Sequence, residues 1–395
     1  MNKNHFIWVL CFSGMIAIFS STIAKTPTLP LFASHLGATE AQVGWIAAAS
    51  TIPGLFIGYL AGTLSDKYGW KRILSASLVI FATAPFIYLI VQTPIQLAAV
   101  RFYHGFATAA FGPVAMAAVA LLYQERRGEM LSLYSSSTML GRAVAPFAGG
   151  LLLASWSYSG VYYICALAGV LALVMGKVFY RGLHVENAFF STEKELQADI
   201  NIAANIRTIL CNREFLLVGI IEATVFFAYG ALEILFPLYA RQQGLQVWQI
   251  GIVMGLQLSG AIFFKPVFGQ LSDKIGRMPV IFSGLVLCAA SIGGIPFWSG
   301  FLGTGLMNVF FGLGFALVTS STRPLAAESV SCGKVGTSMG ALSTLMDVGQ
   351  AAGPPVVGII AVLYGYRGGF LLMTAMLSMA FFICFYYFIR SRLYK

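Results

Sequence analysis

The sequence predicts an all-helical integral membrane protein with twelve transmembrane helices, arranged as two pseudo-symmetric six-helix halves. Of its 395 residues, 58% are hydrophobic and only 10% are charged, whereas a soluble domain carries roughly 25% charged residues. Lipid must therefore solvate most of the surface, and in lipid only helices and closed barrels satisfy their own backbone hydrogen bonds. The apolar runs approach the ~20 residues that a spanning helix needs, and they lack the short alternating pattern of barrel strands.

Polar turns divide the chain into candidate spans. The first six are predicted at 6–29, 42–63, 73–91, 95–121, 131–154 and 160–180. The other six are predicted at 213–237, 248–269, 278–297, 301–325, 336–362 and 367–389. The polar stretch between the two sets is too short to form a domain of its own. We therefore predict an N-terminal half at 1–180, a cytoplasmic linker at 181–212 and a C-terminal half at 213–395.

Lysine and arginine fall mainly on one side of the predicted membrane. The opposite loops contain only Arg241 and Arg367. Because cytoplasmic loops collect Lys and Arg, both termini are predicted to lie in the cytoplasm of a bacterial-type inner membrane. An even number of spans agrees with this orientation. It also accounts for the net charge of +10 without a nucleic-acid partner.

The two predicted halves repeat each other at a nearly constant offset. A shift of 207 residues places Pro237 on Pro30, and one residue of slippage then places Pro354 on Pro146. Glycine and proline set backbone geometry, so their recurrence predicts that the same helix path is followed twice. Further matching pairs are Gly37 and Gly244, Gly44 and Gly251, Gly69 and Gly276, Gly105 and Gly312, and Gly150 and Gly358.

A glycine-rich basic motif follows the second predicted span and recurs in the second half. The copies begin at Gly62 (GTLSDKYGWKR) and at Gly269 (GQLSDKIGR). Glycine permits close packing and a tight turn, and aspartate accepts hydrogen bonds from a helix N-terminus or an arginine. Both copies match motif A of the major facilitator superfamily, G-x-L-(S/A)-D-(R/K)-x-G-R-(R/K), which the chain resembles over its whole length. The resemblance implies a conformational latch made by Gly62, Asp66, Lys67, Gly69, Arg72, Gly269, Asp273, Gly276 and Arg277.

Two further segments are similar to motifs of the same superfamily. The segment 101–107 (RFYHGFA) resembles motif B, which the family links to proton transfer, although His104 replaces the usual Gln. The segment 141–150 (GRAVAPFAGG) resembles motif C of drug:proton antiporters, with Ala145 in place of a glycine and an unusual Arg142. Small residues and proline indicate close helix crossing and a kink. The packing residues in this segment and its counterpart are Pro146, Gly149, Gly150, Gly353 and Pro354.

Charged side chains inside the predicted spans are candidate site residues, because an intramembrane charge is costly and usually faces a cavity or a partner. Burial favours the neutral form of a carboxylic acid, as proton coupling requires. We predict that Glu222 is the proton carrier, with Asp347 as the second candidate. The alternative is that these carboxylates form static ion pairs, for example Asp347 with Arg142. His104 is either a titrating group or a hydrogen-bonded packing residue. Arg101 either faces the cavity or extends to the outer interface.

A substrate cavity is predicted at the interface between the halves, as in transporters built from parallel repeats. Aromatic rings with a few polar anchors suit an amphipathic ligand. Drug antiporters of the family often carry an acid in the first helix, where this chain has Lys25, and this permits an anionic or zwitterionic substrate. The predicted lining consists of Arg101, His104, Arg142, Lys25, Glu222, Glu233, Phe226 and Tyr229.

Two interpretations concern charges nearer the ends of the spans. Glu233 and Lys25 fall at one level of the repeat, so they are candidates for an outer gate. Lys265 and Arg323 lie near the predicted cytoplasmic face. We interpret these two as anchors to lipid phosphates or to nearby carboxylates such as Asp273 and Glu328.

The resemblance implies a secondary active transporter that works by alternating access. We expect proton-coupled efflux of a small amphipathic, drug-like compound. The alternatives are export or exchange of an anionic metabolite or siderophore-like molecule, and uptake by a symporter or facilitator. The expected partners are the substrate, protons and the lipid bilayer, and the family favours a monomer.

Other classes of protein fit the sequence poorly. The match to G-x-S-x-G at 336–340 opens an apolar helix, whereas a nucleophile elbow needs a strand, a turn and a helix. The six cysteines are scattered singly, so we expect no metal and no cofactor. The absence of a Walker loop argues against an ATP-driven pump. A channel or a receptor needs no duplicated motif A. We therefore expect a carrier rather than an enzyme.

Overall fold

Helices account for all the regular secondary structure of the described residues. The computed structural model describes residues 3–54, 56, 65, 68–181, 212–330 and 335–393. The chain divides into two compact units. The first comprises Met1–Ser191 with Gln246–Gly255, and the second comprises Thr192–Leu245 with Leu256–Lys395. Most of the predicted linker, 181–212, lies outside the described residues, so its role stays a prediction.

Seven α-helices belong to the first unit. Threonine caps start two of them: Thr39 and Thr93 each accept a hydrogen bond from the backbone of a glutamine three residues on, whose side chain returns the bond. The first predicted span is broken in the structure into α1 and α2, which together form one apolar crossing, Phe6–His35. The helices are α1 (Lys3–Ile23), α2 (Thr28–His35), α3 (Glu40–Ala49), α4 (Trp70–Tyr88), α5 (Pro94–Leu122), α6 (Arg127–Ser155) and α7 (Tyr158–Arg181).

Six α-helices form the rest of the described chain. They are α8 (Arg213–Gln242), α9 (Val247–Phe263), α10 (Lys265–Ile275), α11 (Arg277–Gly294), α12 (Gly300–Glu328) and α13 (Val335–Leu393). The predicted span 248–269 proves to be two helices, α9 and α10, bent by 43°. Pro266 lies in the first turn of α10, where its missing N–H costs no intrahelical hydrogen bond.

The helix α13 contains a backbone break. Gly365 has φ 71° and ψ 175°, a conformation that is not helical and that glycine adopts at little cost. The break falls between the last two predicted spans, 336–362 and 367–389. The apolar part of α13, Ser338–Arg390, has 53 residues. At 1.5 Å per residue this is ~80 Å of helix, far more than the ~30 Å apolar core of a bilayer.

The described residues contain nine helices long and apolar enough to cross a membrane, or ten if the bent pair is one span. The break at Gly365 is consistent with two crossings within the last of these helices. The second predicted span, 42–63, extends beyond the described residues. The multi-pass, all-helical character is therefore confirmed, and the number twelve stays a prediction.

Glycines bring helix backbones into direct contact in both units. In the second unit, a Cβ atom added at Gly349 of α13 would lie 2.1 Å from the carbonyl oxygen of Ala223 in α8. A Cβ atom at Gly353 would lie 2.2 Å from the carbonyl oxygen of Phe227. In the first unit, a Cβ atom at Gly141 would lie 2.5 Å from the carbonyl oxygen of Met15. The glycine-rich runs thus allow α13 to pack on α8, and α6 on α1.

We predict that Gly349→Ala destabilises the protein by about 1–3 kcal/mol, because the new methyl group overlaps a backbone atom that cannot rotate away. Thermal unfolding of the purified protein, followed by cysteine-reactive dye or light scattering, measures the effect. Gly340→Ala is the matched control in the same helix, because no atom of the described residues lies within 4 Å of a Cβ atom there. Equal melting temperatures for the two variants would contradict this description of the contact.

Candidate functional site

A buried carboxylate in the second unit forms the centre of the candidate site. Glu222 lies within α8 and is 0% exposed. The hydroxyl of Thr322, on α12, donates a hydrogen bond of 2.5 Å to its Oε2 atom. The other carboxylate oxygen, Oε1, is buried without a hydrogen-bond partner among the described residues. A buried polar atom without a partner is unusual in a native protein and is a candidate for a functional role.

Two cations lie near this carboxylate. The Nε atom of Arg323 is 4.0 Å from Oε1 of Glu222, and the arginine side chain is 50% exposed. Lys265, half-buried at the start of α10, interacts electrostatically with both groups. Within the described part of the second unit, these two cations therefore share one carboxylate. Within the described part of the chain, Arg323 donates one hydrogen bond, to the sulfur of Met346 at 3.8 Å.

The local sequence explains how these side chains meet. Successive side chains of a helix point about 100° apart. Thr322 therefore faces Glu222 directly, whereas the side chain of the next residue, Arg323, is half-exposed and approaches Glu222 only to 4.0 Å. The break between α9 and α10 places Lys265 at a helix start instead of in a continuous span. In the structure Arg323 lies near the carboxylate of Glu222, whereas Glu328 pairs with Arg277. The interpretation of Arg323 as an anchor to lipid phosphates stays a prediction.

An aromatic cluster continues the same helix faces. Glu222, Phe226 and Tyr229 are spaced i, i+4 and i+7 along α8, so they share one face. Phe315 of α12 lies 5.0 Å from the ring of Phe226 and 4.9 Å from that of Tyr229, measured between centroids. Phe315 is one of 32 phenylalanines, and sequence alone offers no signal that distinguishes it.

The first unit contains a separate buried polar network around motif B. Arg101 is 3% exposed and His104 is 1% exposed. A terminal nitrogen of Arg101 donates to Oγ of Ser50 at 2.6 Å, and the other lies 3.5 Å from the hydroxyl of Tyr88. That hydroxyl lies 3.4 Å from Nδ1 of His104. The network favours the packing interpretation of His104, and Arg101 is bonded inside the unit instead of extending to an interface.

The glycine of motif B explains this geometry. A Cβ atom at Gly105 would lie 2.4 Å from the backbone oxygen of Ser50. Only glycine lets α5 approach the C-terminal end of α3 this closely, and the approach brings Ser50 within reach of Arg101, one helical turn away. A guanidinium at that helix end also interacts favourably with the exposed carbonyl groups.

The remaining predicted cavity residues are divided between the units. Lys25, half-buried, and Arg142, exposed, lie in the first unit, whereas Glu233, buried, and Asp347, half-buried, lie in the second. Both predicted pairings, Lys25 with Glu233 and Arg142 with Asp347, would join the two units. They stay predictions.

The second copy of motif A forms an ion-pair cluster. Arg277 pairs with Asp273 of the same motif and donates to Oγ of Ser272 at 3.0 Å. Its guanidinium also contacts Glu328, at the end of α12, with distances of 3.0 and 3.2 Å. Gly276 has φ 97° and makes the turn between α10 and α11. The motif thus ties this turn to the end of α12.

In the first copy, only part of the motif is described. Gly69 has φ 87° and precedes α4, which matches the turn made by Gly276. Arg72 lies in the first turn of α4. Three predicted latch residues lie outside the described residues: Gly62, Asp66 and Lys67. Within the described residues, no group of three or more His, Cys, Asp or Glu side chains is arranged to hold a metal ion.

Many helices that are long and apolar enough to cross a membrane, with charged groups buried among them, define the class of multi-pass membrane proteins. The model of the Major Facilitator Superfamily matches residues 10–354 and, in a second overlapping match, 249–394. The chain belongs to this superfamily of membrane transporters. The resemblance carried by motif A is therefore confirmed.

Comparisons with individual proteins agree with this assignment. The chain is 24% identical to the quinolone resistance protein NorA of Staphylococcus aureus over 372 residues, covering 91% of this chain and 90% of the relative. It is 24% identical to the staphyloferrin B transporter of Staphylococcus aureus, covering 89% and 86%. The crystal structure of the nucleoside transporter NupG superposes with a TM-score of 0.82 at 15% identity, covering 98% of this chain and 99% of NupG. Because NupG is only 15% identical to this chain, the similarity to NupG shows a shared fold and nothing more.

We predict that Asp273→Asn slows transport while leaving membrane insertion normal, because it removes the charged acceptor that orients Arg277 toward Glu328. The initial rate of solute flux in proteoliposomes, normalised to inserted protein, measures the effect. Glu129→Gln is the matched control, since Glu129 pairs with Arg126 in an exposed contact on α6 outside motif A. An unchanged rate for Asp273→Asn would reject the hypothesis that the second copy of motif A acts as a conformational latch.

Proposed function

We propose that this protein is a proton-coupled secondary transporter that exports a small amphipathic compound by alternating access. The observation that carries the proposal is the burial of Glu222 in α8 with one oxygen lacking a hydrogen-bond donor. Such a carboxylate is poorly solvated when charged, so the neutral, protonated form competes with it. A group that exchanges a proton inside a membrane helix is what proton coupling requires.

The surroundings of Glu222 can make protonation depend on conformation. Thr322 and the two cations, Arg323 and Lys265, favour the charged carboxylate, whereas burial opposes it. The contact with Arg323 is loose, at 4.0 Å, so a small movement of α12 or α10 changes this balance. Asp347, next to Met346 on α13, is the second candidate carrier. We propose that protonation favours one of the two access states.

Export is supported by two similarities. The first is the similarity of the whole chain to NorA, which is named as a quinolone resistance protein. The second is the resemblance of the segment 141–150 to motif C, which is associated with drug:proton antiporters. By the same resemblance we propose an inner-membrane location with both termini in the cytoplasm, two six-helix halves at 1–180 and 213–395, and a monomer. The substrate cavity implied by this resemblance would include Lys25, Arg142 and Glu233.

A second candidate function is export or exchange of an anionic metabolite. The similarity to the staphyloferrin B transporter supports it, and so do the cations of the first unit, Lys25 and Arg142. Net flux driven by protons distinguishes the two candidates: a pH gradient alone drives net efflux of labelled substrate through a proton-coupled exporter, whereas an exchanger needs substrate on the opposite side and moves no protons.

We predict that Glu222→Gln abolishes proton movement driven by substrate. Proteoliposomes loaded with a pH-sensitive dye are given a pH gradient and then a panel of lipophilic cations, amphipathic anions and metabolites. Wild-type protein should show proton flux that depends on one class of compound, and Glu222→Gln should reduce it to background because glutamine cannot bind the proton.

The matched control is Glu214→Gln, an exposed glutamate in the first turn of the same helix. It should retain the wild-type flux. Size-exclusion chromatography establishes that each variant is folded and monodisperse. Undiminished pH-driven flux in a folded Glu222→Gln variant would reject Glu222 as the carrier, and the same test applied to Asp347→Asn would then identify or reject the second candidate.

A further inference from the structure

The helix α6 carries an exposed polar face inside a candidate membrane span, Gln124–Ser155. Ser132, Ser136, Met139 and Arg142 are all exposed. Their spacing of i, i+4, i+7 and i+10 places them on one side of the helix, within about 120°. We call these four residues the polar face of α6. Hydroxyl groups and a guanidinium are poor partners for lipid chains, so this face needs a different solvent.

A separate exposed face of the same helix is apolar. Leu140, Val144 and Leu151 are 51%, 46% and 55% exposed, and they lie within about 40° of one another around the helix axis. Lipid solvates such side chains without cost. The exposed surface of α6 is thus divided by angle into an apolar part and a polar part, which indicates that the polar part borders water.

Arg142 lies too deep in the span to reach either membrane surface. It stands near the middle of α6, about 20 Å from either end at 1.5 Å per residue. An arginine extends to the interface only from near the end of a membrane helix. Lipid phosphates stay in the headgroup layer, about 15 Å from the centre of the bilayer, so they do not meet Arg142. The exposed guanidinium therefore needs an aqueous space inside the membrane.

The helix α9 closes the polar face at one end. Pro146 and Gly150 continue the same side of α6 and are buried, because the segment Gln246–Gly255 packs on them within the first unit. A Cβ atom at Gly150 would lie 2.6 Å from Cα of Gly251, and one at Gly251 would lie 2.7 Å from the carbonyl oxygen of Pro146. Arg142 is thus the last exposed residue of the polar face before this contact.

The charge of Arg142 is not balanced within the described part of the first unit. The carboxylates of that part, Glu40, Glu125 and Glu129, all lie in the first turn of a helix, far from the middle of α6. Arg142 takes part in none of the ion pairs of the described residues. Because charges enclosed in a membrane are normally paired, this guanidinium is complementary to an anion that comes from outside the chain.

We propose that the polar face of α6 binds an amphipathic organic anion, and that Arg142 binds the carboxylate of this ligand. A guanidinium suits the role because its planar array of donors binds a carboxylate through two parallel hydrogen bonds. The hydroxyl groups of Ser132 and Ser136 line the approach. The flexible thioether of Met139 packs against the apolar part of the ligand.

This inference deepens the proposed function and rests on it, since it names the class of compound that the transporter carries. It involves neither Glu222 nor a particular driving force. Binding of an anion at Arg142 is therefore measured separately from proton movement at Glu222.

Three probes with an indole body test the proposal: indole-3-propionate, indole-3-propionamide and tryptamine, which at neutral pH are an anion, a neutral amide and a cation. Their binding to full-length protein in nanodiscs is measured by equilibrium dialysis, with empty nanodiscs as the blank for partitioning into lipid. We expect indolepropionate to bind about tenfold more tightly than either of the other probes, as one charge-assisted hydrogen bond predicts.

Variants of Arg142 assign this preference to the guanidinium. Arg142→Gln should lower the affinity for indolepropionate to that for the amide and leave the amide unchanged, whereas Arg142→Lys keeps the charge and should retain part of the preference. The matched control is Arg127→Gln, which removes an exposed arginine at the start of the same helix and should change none of the affinities. Size-exclusion chromatography establishes that each variant is folded.

Thiol labelling tests whether the polar face borders water. Ser136→Cys and Leu140→Cys place a thiol one helical turn apart, on the polar and the apolar face. A charged methanethiosulfonate reagent attacks thiolates, which form in water. We therefore expect labelling above that of the wild-type chain, with its six cysteines, in Ser136→Cys alone. Indolepropionate should slow this labelling, and adding Arg142→Gln should abolish the protection.

Three results would each overturn the proposal: no binding of indolepropionate above the blank, equal affinities for the anion and the amide, or equal labelling of the two cysteine variants. An unchanged affinity for indolepropionate in Arg142→Gln would overturn it as well, and is expected if Arg142 is held in the predicted pair with Asp347. Anion-selective binding without proton flux would leave this inference standing and reject the coupling. Proton flux without anion selectivity would do the reverse.

Discussion

The contacts around Glu222 in the second unit are determined by the free-energy cost of keeping a charge out of water. Glu222 lies in the interior of an apolar helix, and each feature around it offsets part of that cost: the hydroxyl of Thr322, the guanidinium of Arg323 and the ammonium of Lys265. None of these contacts is a close, fully hydrogen-bonded ion pair. The charge of Glu222 is therefore only partly compensated, whereas a tight, fully hydrogen-bonded pair would hold the group in its charged form.

The two units place buried charge in different settings. In the first unit, Arg101 donates to Ser50 and approaches Tyr88, and the close passage of Gly105 over Ser50 holds that arrangement rigidly. In the second unit the corresponding glycine, Gly312, also packs on a backbone carbonyl, that of Gln257, but the residue four positions before it is an asparagine instead of an arginine. The repeat thus preserves helix packing while the polar chemistry of the two units has diverged.

Much of this architecture is predictable from sequence because lipid imposes strict demands. Long apolar runs reflect a local requirement, so the predicted start of the span 95–121 lies close to the cap at Thr93, and the gap between the spans 336–362 and 367–389 contains the break at Gly365. Motif A likewise predicted a turn at Gly276 with its aspartate facing an arginine. The bend after Phe263 was missed, since hydropathy continues through it and only Pro266 hints at a helix start.

The site is less predictable because it depends on contacts between distant segments. Glu222 was recognisable as a carboxylate inside a span, yet its partner Thr322 lies 100 residues away, and nothing in a serine- and threonine-rich helix distinguishes that hydroxyl. Arg323 and Lys265 were interpreted as interfacial anchors, since sequence shows depth along a helix but not which neighbouring helix a side chain faces. Phe315 was hidden among many rings for the same reason.

The glycine contacts between α13 and α8 have a consequence for motion. Gly349 and Gly353 touch Ala223 and Phe227, the residues that directly follow Glu222 and Phe226. Backbone against backbone leaves no flexible side chain to absorb sliding, so these helices must travel as one body and carry the carboxylate with them. The interrupted places in the second unit's helices are instead the 43° bend before Lys265 and the break at Gly365. Lys265 lies directly after that bend, whereas Glu222 lies in the tightly packed helix pair, so any change of the bend angle would alter the electrostatic field at the carboxylate.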